Sequence, residues 1–173
     1  IKLIRPETLG GTGLERQMLR SRFEREAQAT ALLRSPHTIE LYDFGVTEDG
    51  SFYYVMELLD GFDLQVLIDR FGPIPVERAV FLLTQVCDSL AEAHAEGLIH
   101  RDIKPANVYA CRYGLEVDFV KVLDFGLVKS QNEAMGGAST QLTKNQTIGG
   151  TPSFMSPEQV VGDRALDGRS DIY

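Results

Sequence analysis

The sequence predicts an α+β fold divided into two lobes, and two observations point to it. Residues 1–58 show short strand patterns around one helix, whereas helical patterns dominate the residues that follow. The change falls near Glu57–Asp63, where Asp60-Gly61 interrupts the apolar pattern, so we place the connection between the lobes there. A chain of 173 residues, 43% of them apolar, can bury a hydrophobic core and is not disordered as a whole.

Charge and composition restrict the partners. The chain has 17 Lys and Arg residues against 25 Asp and Glu, a net charge of −8, which argues against nucleic acid or anionic lipid as the main partner. A phosphate ligand stays open, because a local group of lysines and backbone amides can bind one on an acidic protein. No apolar run reaches the roughly 18 residues that span a bilayer. Cys87 and Cys111 lie in apolar runs, which predicts two buried thiols and a cytoplasmic location.

Each element of the first lobe follows from a local pattern. The predicted segments are a strand at Lys2–Ile4, a helix from Leu14 to about Leu33, and strands at Ile39–Phe44 and Ser51–Leu58. Apolar side chains recur in the helix at a spacing of four and give it one apolar face: Leu19, Phe23, Ala27 and Ala31. Ser35-Pro36 ends this helix, and Glu48-Asp49-Gly50 forms the turn between the two later strands.

The second lobe is predicted to contain mainly helices and one β-ribbon. The helices run over Asp63–Phe71 and from Pro75 to a C-terminal cap at Gly97. The longer helix carries an apolar stripe in steps of three and four: Val76, Val80, Leu83, Cys87, Leu90 and His94. The ribbon is predicted at Val108–Cys111 and Val117–Leu123, and a long functional surface loop at about Lys129 to Gly150.

The segment His100–Asn107 concentrates chemically useful groups. It holds an acid, a base and an amide between a helix cap and a strand, where both ends can be held rigidly. Asp124-Phe125-Gly126 follows the second ribbon strand, and a Thr-Pro and Ser-Pro-Glu element runs from Thr151 to Glu158. A single tripeptide is weak evidence, whereas these elements in this order are a specific signal.

These motifs resemble those of the eukaryotic-like Ser/Thr protein kinase family in its bacterial branch. The catalytic loop reads HRDIKPAN, the metal motif reads DFG, and Ser156-Pro157-Glu158 stands for Ala-Pro-Glu. The resemblance implies the two-lobed protein-kinase fold, with a partial N-lobe at residues 1–58 and a partial C-lobe at residues 59–173. The strands of the Gly-rich loop and the C-terminal helices of the large lobe are expected to be missing, so we expect a fragment of the domain.

The resemblance also implies an active site for ATP and Mg²⁺. Asp102 would accept or orient the proton of a Ser or Thr hydroxyl, and Lys104 would offset charge that develops on the γ-phosphate. Asn107 and Asp124 would supply oxygen ligands, which Mg²⁺ prefers. Asp171 is similar to the family aspartate whose side chain braces the catalytic loop.

Further residues are implied to bind the nucleotide. Lys2 matches the lysine that contacts the α- and β-phosphates, and Glu26 matches the helix glutamate that pairs with it. An ordinary surface ion pair is the alternative interpretation of these two residues. The other predicted ATP-binding residues are Met56, Glu57, Leu59, Tyr109 and Leu123. Tyr109 departs from the family, which usually has an aliphatic residue beneath adenine.

The activation segment implies the substrate class and a form of control. Thr151 is similar to the threonine that contacts the catalytic aspartate and lysine of Ser/Thr kinases, although a plain turn is the alternative. Arg101 implies control by phosphorylation, because a loop phosphate would pair with its guanidinium group. The favoured acceptors are Thr143 and Thr147, with plain polar loop residues as an equal interpretation. Glu158 is expected to lack the arginine that it pairs with in the family, which would leave an uncompensated charge.

The implied function is that of an ATP-dependent Ser/Thr protein kinase that also autophosphorylates its loop. A pseudokinase or scaffold of the same fold is the alternative, and a small-molecule kinase is a third. The presence of Lys2, Asp102, Asn107 and Asp124 favours the enzyme, because pseudokinases commonly lack one of them. Protein substrates are the expected partners, with no nucleic acid and no membrane segment within the chain. Residues 1–173 on their own are expected to be unstable and inactive.

Overall fold

The computed structural model describes residues 1–4, 13–125, 152–163 and 165–173. Within these ranges the strands are β1 (Lys2–Ile4), β2 (Leu41–Val46), β3 (Phe52–Met56), β4 (Asp60–Asp63), β5 (Val108–Tyr113) and β6 (Glu116–Val122). The helices are α1 (Gly13–Leu32), α2 (Leu64–Phe71), α3 (Val76–Ala95) and α4 (Pro157–Val160), with 3₁₀ turns at Pro105–Asn107, Pro152–Phe154 and Gly168–Asp171. Helices are thus mixed with antiparallel sheets, and the predicted α+β class is confirmed.

The first sheet joins three strands in the order β1-β3-β2, all antiparallel. It places Lys2 directly opposite Tyr54, so the two side chains lie on one face of the sheet. Helix α1 packs on this face through Phe23 and Ala27, which are buried. The Phe23 ring stacks on Phe52 with 4.3 Å between the ring centroids. This contact fixes the helix against the sheet.

The buried face of α1 differs in its last turn from the predicted one. Ala31 is exposed, and Thr30 takes the buried position, where its hydroxyl donates to the carbonyl of Glu26 at 3.0 Å. A strict spacing of four exceeds the 3.6 residues of a helical turn, so the predicted face drifts around the helix. The side chain of Leu19 lies outside the described residues.

The second sheet joins β4, β5 and β6 in antiparallel order, and α2 and α3 pack against it. Asp60-Gly61 was predicted to interrupt the pattern, and this is wrong, because both residues belong to β4, which pairs with β5. Gly61 allows the pairing, because a Cβ atom there would overlap the carbonyl oxygen of Ala110. The core of this lobe consists of buried apolar side chains: Leu64, Leu67, Leu82, Val86, Leu90, Ala93, Val108, Ala110, Val120, Val122 and Phe125.

Helix α3 buries a face that includes Leu90 of the predicted stripe but not most of its other members. The exposed members of that stripe are Val76, Val80, Leu83 and Cys87. The buried face includes Gln85, whose side chain donates to the carbonyl of Asp118 and accepts from the N–H of Val120, both at 3.0 Å. Polar side chains can be buried when they are hydrogen-bonded. Because this face of α3 contains such residues, apolar periodicity in the sequence does not identify it as the buried face.

The burial of the two cysteines and the character of the helices were both predicted from the sequence. Cys111 is buried and Cys87 is exposed, so the prediction of two buried thiols is wrong for Cys87, because the stripe that carries it is not the buried one. Within the described ranges, no helix combines the length and the apolar character needed to cross a membrane.

The two sheets are connected by backbone pairing as well as by the chain. The N–H of Ile39 donates to the carbonyl of Val122 at 3.0 Å, and the N–H of Val122 donates to the carbonyl of His37 at 2.8 Å. These bonds place the segment after α1 beside β6. The boundary between residues 58 and 59 falls in the connection from β3 to β4 and stays a prediction.

Candidate active site

The loop between α3 and β5 is held from outside by Asp171. The Asp171 carboxylate accepts hydrogen bonds from the N–H of His100 at 2.8 Å and from the N–H of Arg101 at 2.7 Å. It also contacts Nε2 of His94 at 2.7 Å, and only 6% of Asp171 is exposed. Asp171 therefore fixes the backbone that leads into Asp102, which is the brace that the resemblance implied.

The buried ring of His100 connects this loop to the end of β6. Its Nε2 lies 2.7 Å from the carbonyl oxygen of Leu123, and its Nδ1 accepts from the N–H of Asp102 at 3.2 Å. This pattern requires a neutral ring with the proton on Nε2. Burial lowers the pKa of His100 and favours the same neutral form. The backbone of Asp102 is thus fixed from both sides.

The predicted catalytic residues form one hydrogen-bonded group. Lys104 Nζ lies 3.0 Å from Asp102 Oδ2. The side-chain amide of Asn107 donates to the carbonyl of Asp102 at 2.8 Å and to Asp102 Oδ2 at 3.2 Å. The structure therefore brings Asp102, Lys104 and Asn107 together, with the aspartate as their common acceptor. A carboxylate bonded to a cation and to an amide has a fixed orientation.

The predicted metal ligands Asn107 and Asp124 stand at neighbouring positions of paired segments. The N–H of Leu123 donates to the carbonyl of Asn107 at 2.9 Å, which brings the two ligands to the same end of the β5–β6 ribbon. Both side-chain hydrogen bonds of Asn107 use its Nδ2, so its amide oxygen is the atom that a cation would bind. Carboxylate and amide oxygens are the ligand types that Mg²⁺ takes.

These two oxygens fit a metal that is shared with a nucleotide. Mg²⁺ is commonly bound by one or two protein carboxylates and completes its octahedral shell with phosphate oxygens and water. In the described part of the chain, no group of three or more His, Cys, Asp or Glu residues could hold a metal ion alone. The donor set therefore suits a magnesium ion that arrives with a polyphosphate.

Lys2 contacts Asp124 in this structure, whereas the sequence predicts that it pairs with Glu26. Lys2 Nζ lies 2.5 Å from Asp124 Oδ2. Asp124 also has a φ of 63°, a conformation that is rare outside glycine and is often found at functional sites.

The predicted adenine-binding residues Met56, Glu57 and Leu59 lie at the end of β3 and in the connection that follows. The Glu57 carboxylate is turned into the protein: its Oε1 lies 2.6 Å from Lys121 Nζ and accepts from the N–H of Glu40 at 2.9 Å. The side chain of Glu57 therefore holds this connection in place. Any contact of Glu57 with adenine would come from its backbone.

Lys121 is a structural member of the site that was not among the predicted residues. It is 5% exposed, and besides Glu57 its ammonium group donates to the carbonyl of Thr38 at 3.3 Å. The signal was a charged lysine inside the apolar run Val117–Leu123, where both faces of a buried strand are expected to be apolar. The partner of such a lysine cannot be found from the pattern, because Glu57 is distant in the sequence.

Tyr109 and Leu123, the last two predicted nucleotide-binding residues, are half-buried. Tyr109 lies in β5 opposite Asp63 of β4 and Lys121 of β6. It therefore occupies the middle strand of the second sheet, and Leu123 follows the end of β6. Their contact with adenine stays a prediction.

The activation segment is described only near its end. Thr143, Thr147 and Thr151 lie outside the described residues. Glu158 was expected to lack an arginine partner, and this stays a prediction; in the structure its Oε1 accepts a hydrogen bond from the hydroxyl of Ser170 at 2.6 Å. That hydrogen bond lowers the pKa of the Glu158 carboxyl. A hydroxyl group within the chain thus stabilises this carboxylate.

Gln159 connects the end of the activation segment to the catalytic loop. Its Nε2 donates to the carbonyl of Arg101 at 2.9 Å, and its Oε1 accepts from the N–H of Ser156 at 3.0 Å. The second bond is half of a capping box at the start of α4. Gln159 was not among the predicted site residues, although a Ser followed by Gln at the third position is the signature of that cap.

Comparison with known proteins identifies the class that this fold and site define. A family model described as the protein kinase domain matches residues 12–173. The chain belongs to the protein kinase family.

Its similar relatives are bacterial Ser/Thr kinases. The chain is 41% identical over 172 residues to serine/threonine-protein kinase pkn3 of Myxococcus xanthus, which covers 99% of this chain and 31% of that protein. It is 37% identical over 155 residues to serine/threonine-protein kinase PknB of Mycobacterium leprae, which covers 88% of this chain and 23% of that protein. The chain thus spans less than a third of the length of these relatives.

Solved structures support the same assignment. The PknI kinase domain of Mycobacterium tuberculosis matches with a TM-score of 0.70 and 31% identity, over 98% of this chain and 57% of that chain. The predicted kinase-like fold and the predicted bacterial branch of the family are therefore confirmed.

Proposed function

We propose that this protein is a Ser/Thr protein kinase that transfers the γ-phosphate of ATP to Ser and Thr hydroxyls of proteins. The observation that carries the proposal is the group formed by Asp102, Lys104 and Asn107 on a loop braced by Asp171. Phosphoryl transfer asks an enzyme mainly to position groups and to stabilise charge, and this group is already positioned.

Each member of the group has a distinct task. The Asp102 carboxylate orients the incoming hydroxyl and accepts its proton as the new P–O bond forms. Lys104, 3.0 Å from that carboxylate, lies next to the path of the transferred phosphoryl group and offsets its negative charge. Asn107 holds Asp102 through two hydrogen bonds and offers its amide oxygen to the metal.

The nucleotide is held from the opposite side. When bound, Mg²⁺ neutralises phosphate charge and fixes the orientation of the phosphates. Lys2 and Asp124 are paired with each other at 2.5 Å. We expect nucleotide binding to separate them, with Lys2 moving to the phosphates and Asp124 to the metal.

The substrate class and the control of the enzyme are part of the proposal. The relatives carry Ser/Thr kinase names, which supports Ser and Thr hydroxyls as acceptors. We expect autophosphorylation at Thr143 or Thr147 and pairing of that phosphate with Arg101, whose carbonyl is already bonded to Gln159. Thr151 would contact Asp102 in the assembled site.

The proposal is tested by the intact mass of the full-length protein after incubation with Mg-ATP. We expect the wild type to gain HPO₃ groups and Asp102→Asn to gain them about 10²- to 10⁴-fold more slowly. Asp88→Asn is the matched control, because Asp88 is an exposed aspartate on α3, and it should behave as the wild type.

Thermal melting of the three proteins shows that the variants remain folded. A wild type that binds ATP and yet gains no phosphate, on itself or on added proteins, would contradict the proposal and would support a scaffold of the same fold.

A further inference from the structure

Tyr54 carries a buried hydroxyl group that the proposed mechanism does not use. The residue lies in β3 and is 1% exposed. Among the described residues, its hydroxyl oxygen has no hydrogen-bond partner. A buried polar group without a partner costs stability, and such groups are uncommon in folded proteins. The position of Tyr54 therefore requires an explanation beyond packing.

The surroundings of this hydroxyl are the nucleotide side of the active site. Lys2 stands directly opposite Tyr54 in the strand pairing. The Tyr54 ring packs against Phe23 of α1 at 4.7 Å between centroids, and Glu26 lies one turn further along the same helix. Burial raises the pKa of Tyr54, and the charges of Glu26 and Asp124 raise it further, which agrees with the position of this residue beside α1 and opposite Lys2.

The ion pair between Lys2 and Asp124 indicates when the hydroxyl gains a partner. Under the proposed function, this pair opens as the nucleotide binds, and Asp124 then turns to the metal. Glu26 is the carboxylate that stays on the α1 side of Tyr54. An ionised carboxylate can accept several hydrogen bonds at once, so Glu26 can bind both Lys2 and the tyrosine hydroxyl.

We propose that Tyr54 is a positioning residue whose hydroxyl donates a hydrogen bond to the Glu26 carboxylate in the nucleotide-bound state. This inference rests on the proposed function. The bond holds Glu26 in the orientation that receives Lys2, and so it positions the lysine for the phosphates. Hydrogen bonds to ionised acceptors are about twice as strong as neutral ones, and burial strengthens them.

The chain offers a matched pair of variants for the test. Tyr54→Phe removes only the hydroxyl and keeps the ring against Phe23. Tyr53→Phe makes the same change at the next residue, whose hydroxyl donates to Asp43 at 3.2 Å on the other face of the strand. Full-length proteins are used, with kcat/KM for ATP and the melting temperature as measurements.

Tyr54→Phe is expected to lower kcat/KM for ATP about tenfold, which corresponds to about 1.4 kcal/mol, the range of a hydrogen bond to a charged group. Its melting temperature without nucleotide should equal or exceed that of the wild type, because an unpaired buried hydroxyl is removed. Tyr53→Phe should keep the wild-type kcat/KM. A merely structural role would lower activity and melting temperature together.

A double-mutant cycle with Glu26→Gln shows whether Tyr54 acts through Glu26. In the Glu26→Gln background, Tyr54→Phe should lower kcat/KM much less than tenfold. An active wild type with equally active Tyr54→Phe would overturn the inference alone, as would effects that are additive in the cycle. A wild type that transfers no phosphate would instead overturn the proposed function, and this inference with it.

Discussion

The two sides of the active site differ in how far they are assembled. On the side of the catalytic loop, Lys104 and Asn107 are both bonded to Asp102, and Asp171 holds the backbone before them. On the nucleotide side, Lys2 is bonded to a predicted metal ligand, and the Tyr54 hydroxyl has no partner within the described residues.

This difference follows from how each side is built. The catalytic loop is one short segment between α3 and β5, and the buried Asp171 carboxylate and the His100 ring hold its backbone. The nucleotide side is formed by side chains from β1, α1 and β3, so its geometry depends on how these three elements pack. Preorganised groups stabilise a transition state without rearranging, whereas a site that admits and releases a nucleotide must change. We therefore expect the loop side to be rigid and the nucleotide side to rearrange.

The largest effect is expected from removing the brace. Asp171→Ala leaves the N–H groups of His100 and Arg101 without their acceptor. We expect the free energy of unfolding to fall by about 2–6 kcal/mol, from about 1–3 kcal/mol for each buried amide. We also expect kcat to fall about 10²-fold, because the Asp102 carboxylate shifts. Chemical denaturation and a steady-state phosphorylation assay measure the two effects.

Asp163→Ala is the control for this experiment. Asp163 is exposed, and among the described residues its carboxylate accepts a hydrogen bond from the N–H of Ala165. Its replacement should change the free energy of unfolding by about 1 kcal/mol or less. An Asp171→Ala protein with the stability and kcat of the control would show that the loop is rigid without its brace.

The sequence predicted the loop side far better than the nucleotide side, for a physical reason. Asp102, Lys104 and Asn107 lie within one short segment, so their spacing already places them together. The partner of Lys2 depends on how separate elements pack, and in this structure Lys2 is bonded to Asp124. Which carboxylate binds Lys2 is therefore a property of the folded state.

The buried face of α3 likewise could not be predicted from the sequence pattern alone. Periodicity predicted the length of α3, because apolar residues recur along all of it. The helix has apolar residues on more than one face, however, and the buried one carries Gln85 and Ser89. These residues are buried because β6 and Thr38 bond their side chains, and no pattern within the helix shows that.

The second prediction concerns the ion pair that joins the two sides. Lys121 of β6 and Glu57 after β3 are bonded at 2.6 Å, with Lys121 only 5% exposed. Lys121→Met leaves the Glu57 carboxylate buried without its cation, and we expect the free energy of unfolding to fall by about 3–5 kcal/mol. Chemical denaturation of wild type and variant measures this loss.

The double variant Lys121→Met with Glu57→Gln tests the cause of that loss. The glutamine side chain would carry no charge and would keep an oxygen for the N–H of Glu40, so we expect most of the stability to return. A double variant as unstable as Lys121→Met would mean that the lysine stabilises the protein through its packing on Phe119 and Tyr113 instead.

The smallest effect is a pH dependence that originates in the His100 ring. Burial lowers the pKa of His100, while the Leu123 carbonyl and the carboxylates of Asp171, Asp102 and Asp124 act in the opposite direction. Below its ordinary pKa of about 6.5, the unfolded chain binds a proton that the folded ring excludes. Stability from this group is therefore present above about pH 6.5 and is lost as the pH falls below it.

The rigid loop side predicts that His100 stays neutral in the folded protein at about pH 6, because a proton on Nδ1 would face the N–H of Asp102. Ring chemical shifts measured by NMR should remain those of neutral imidazole at that pH. Chemical denaturation at pH values from 7.5 to 5.5 measures the free energy of unfolding. We expect it to fall more for the wild type than for His100→Gln, by at most about 1.4 kcal/mol per pH unit. A His100 ring that titrates at its ordinary pKa would show that the loop opens enough to admit the proton. The catalytic-loop side would then be less rigid, relative to the nucleotide side, than its hydrogen bonds indicate.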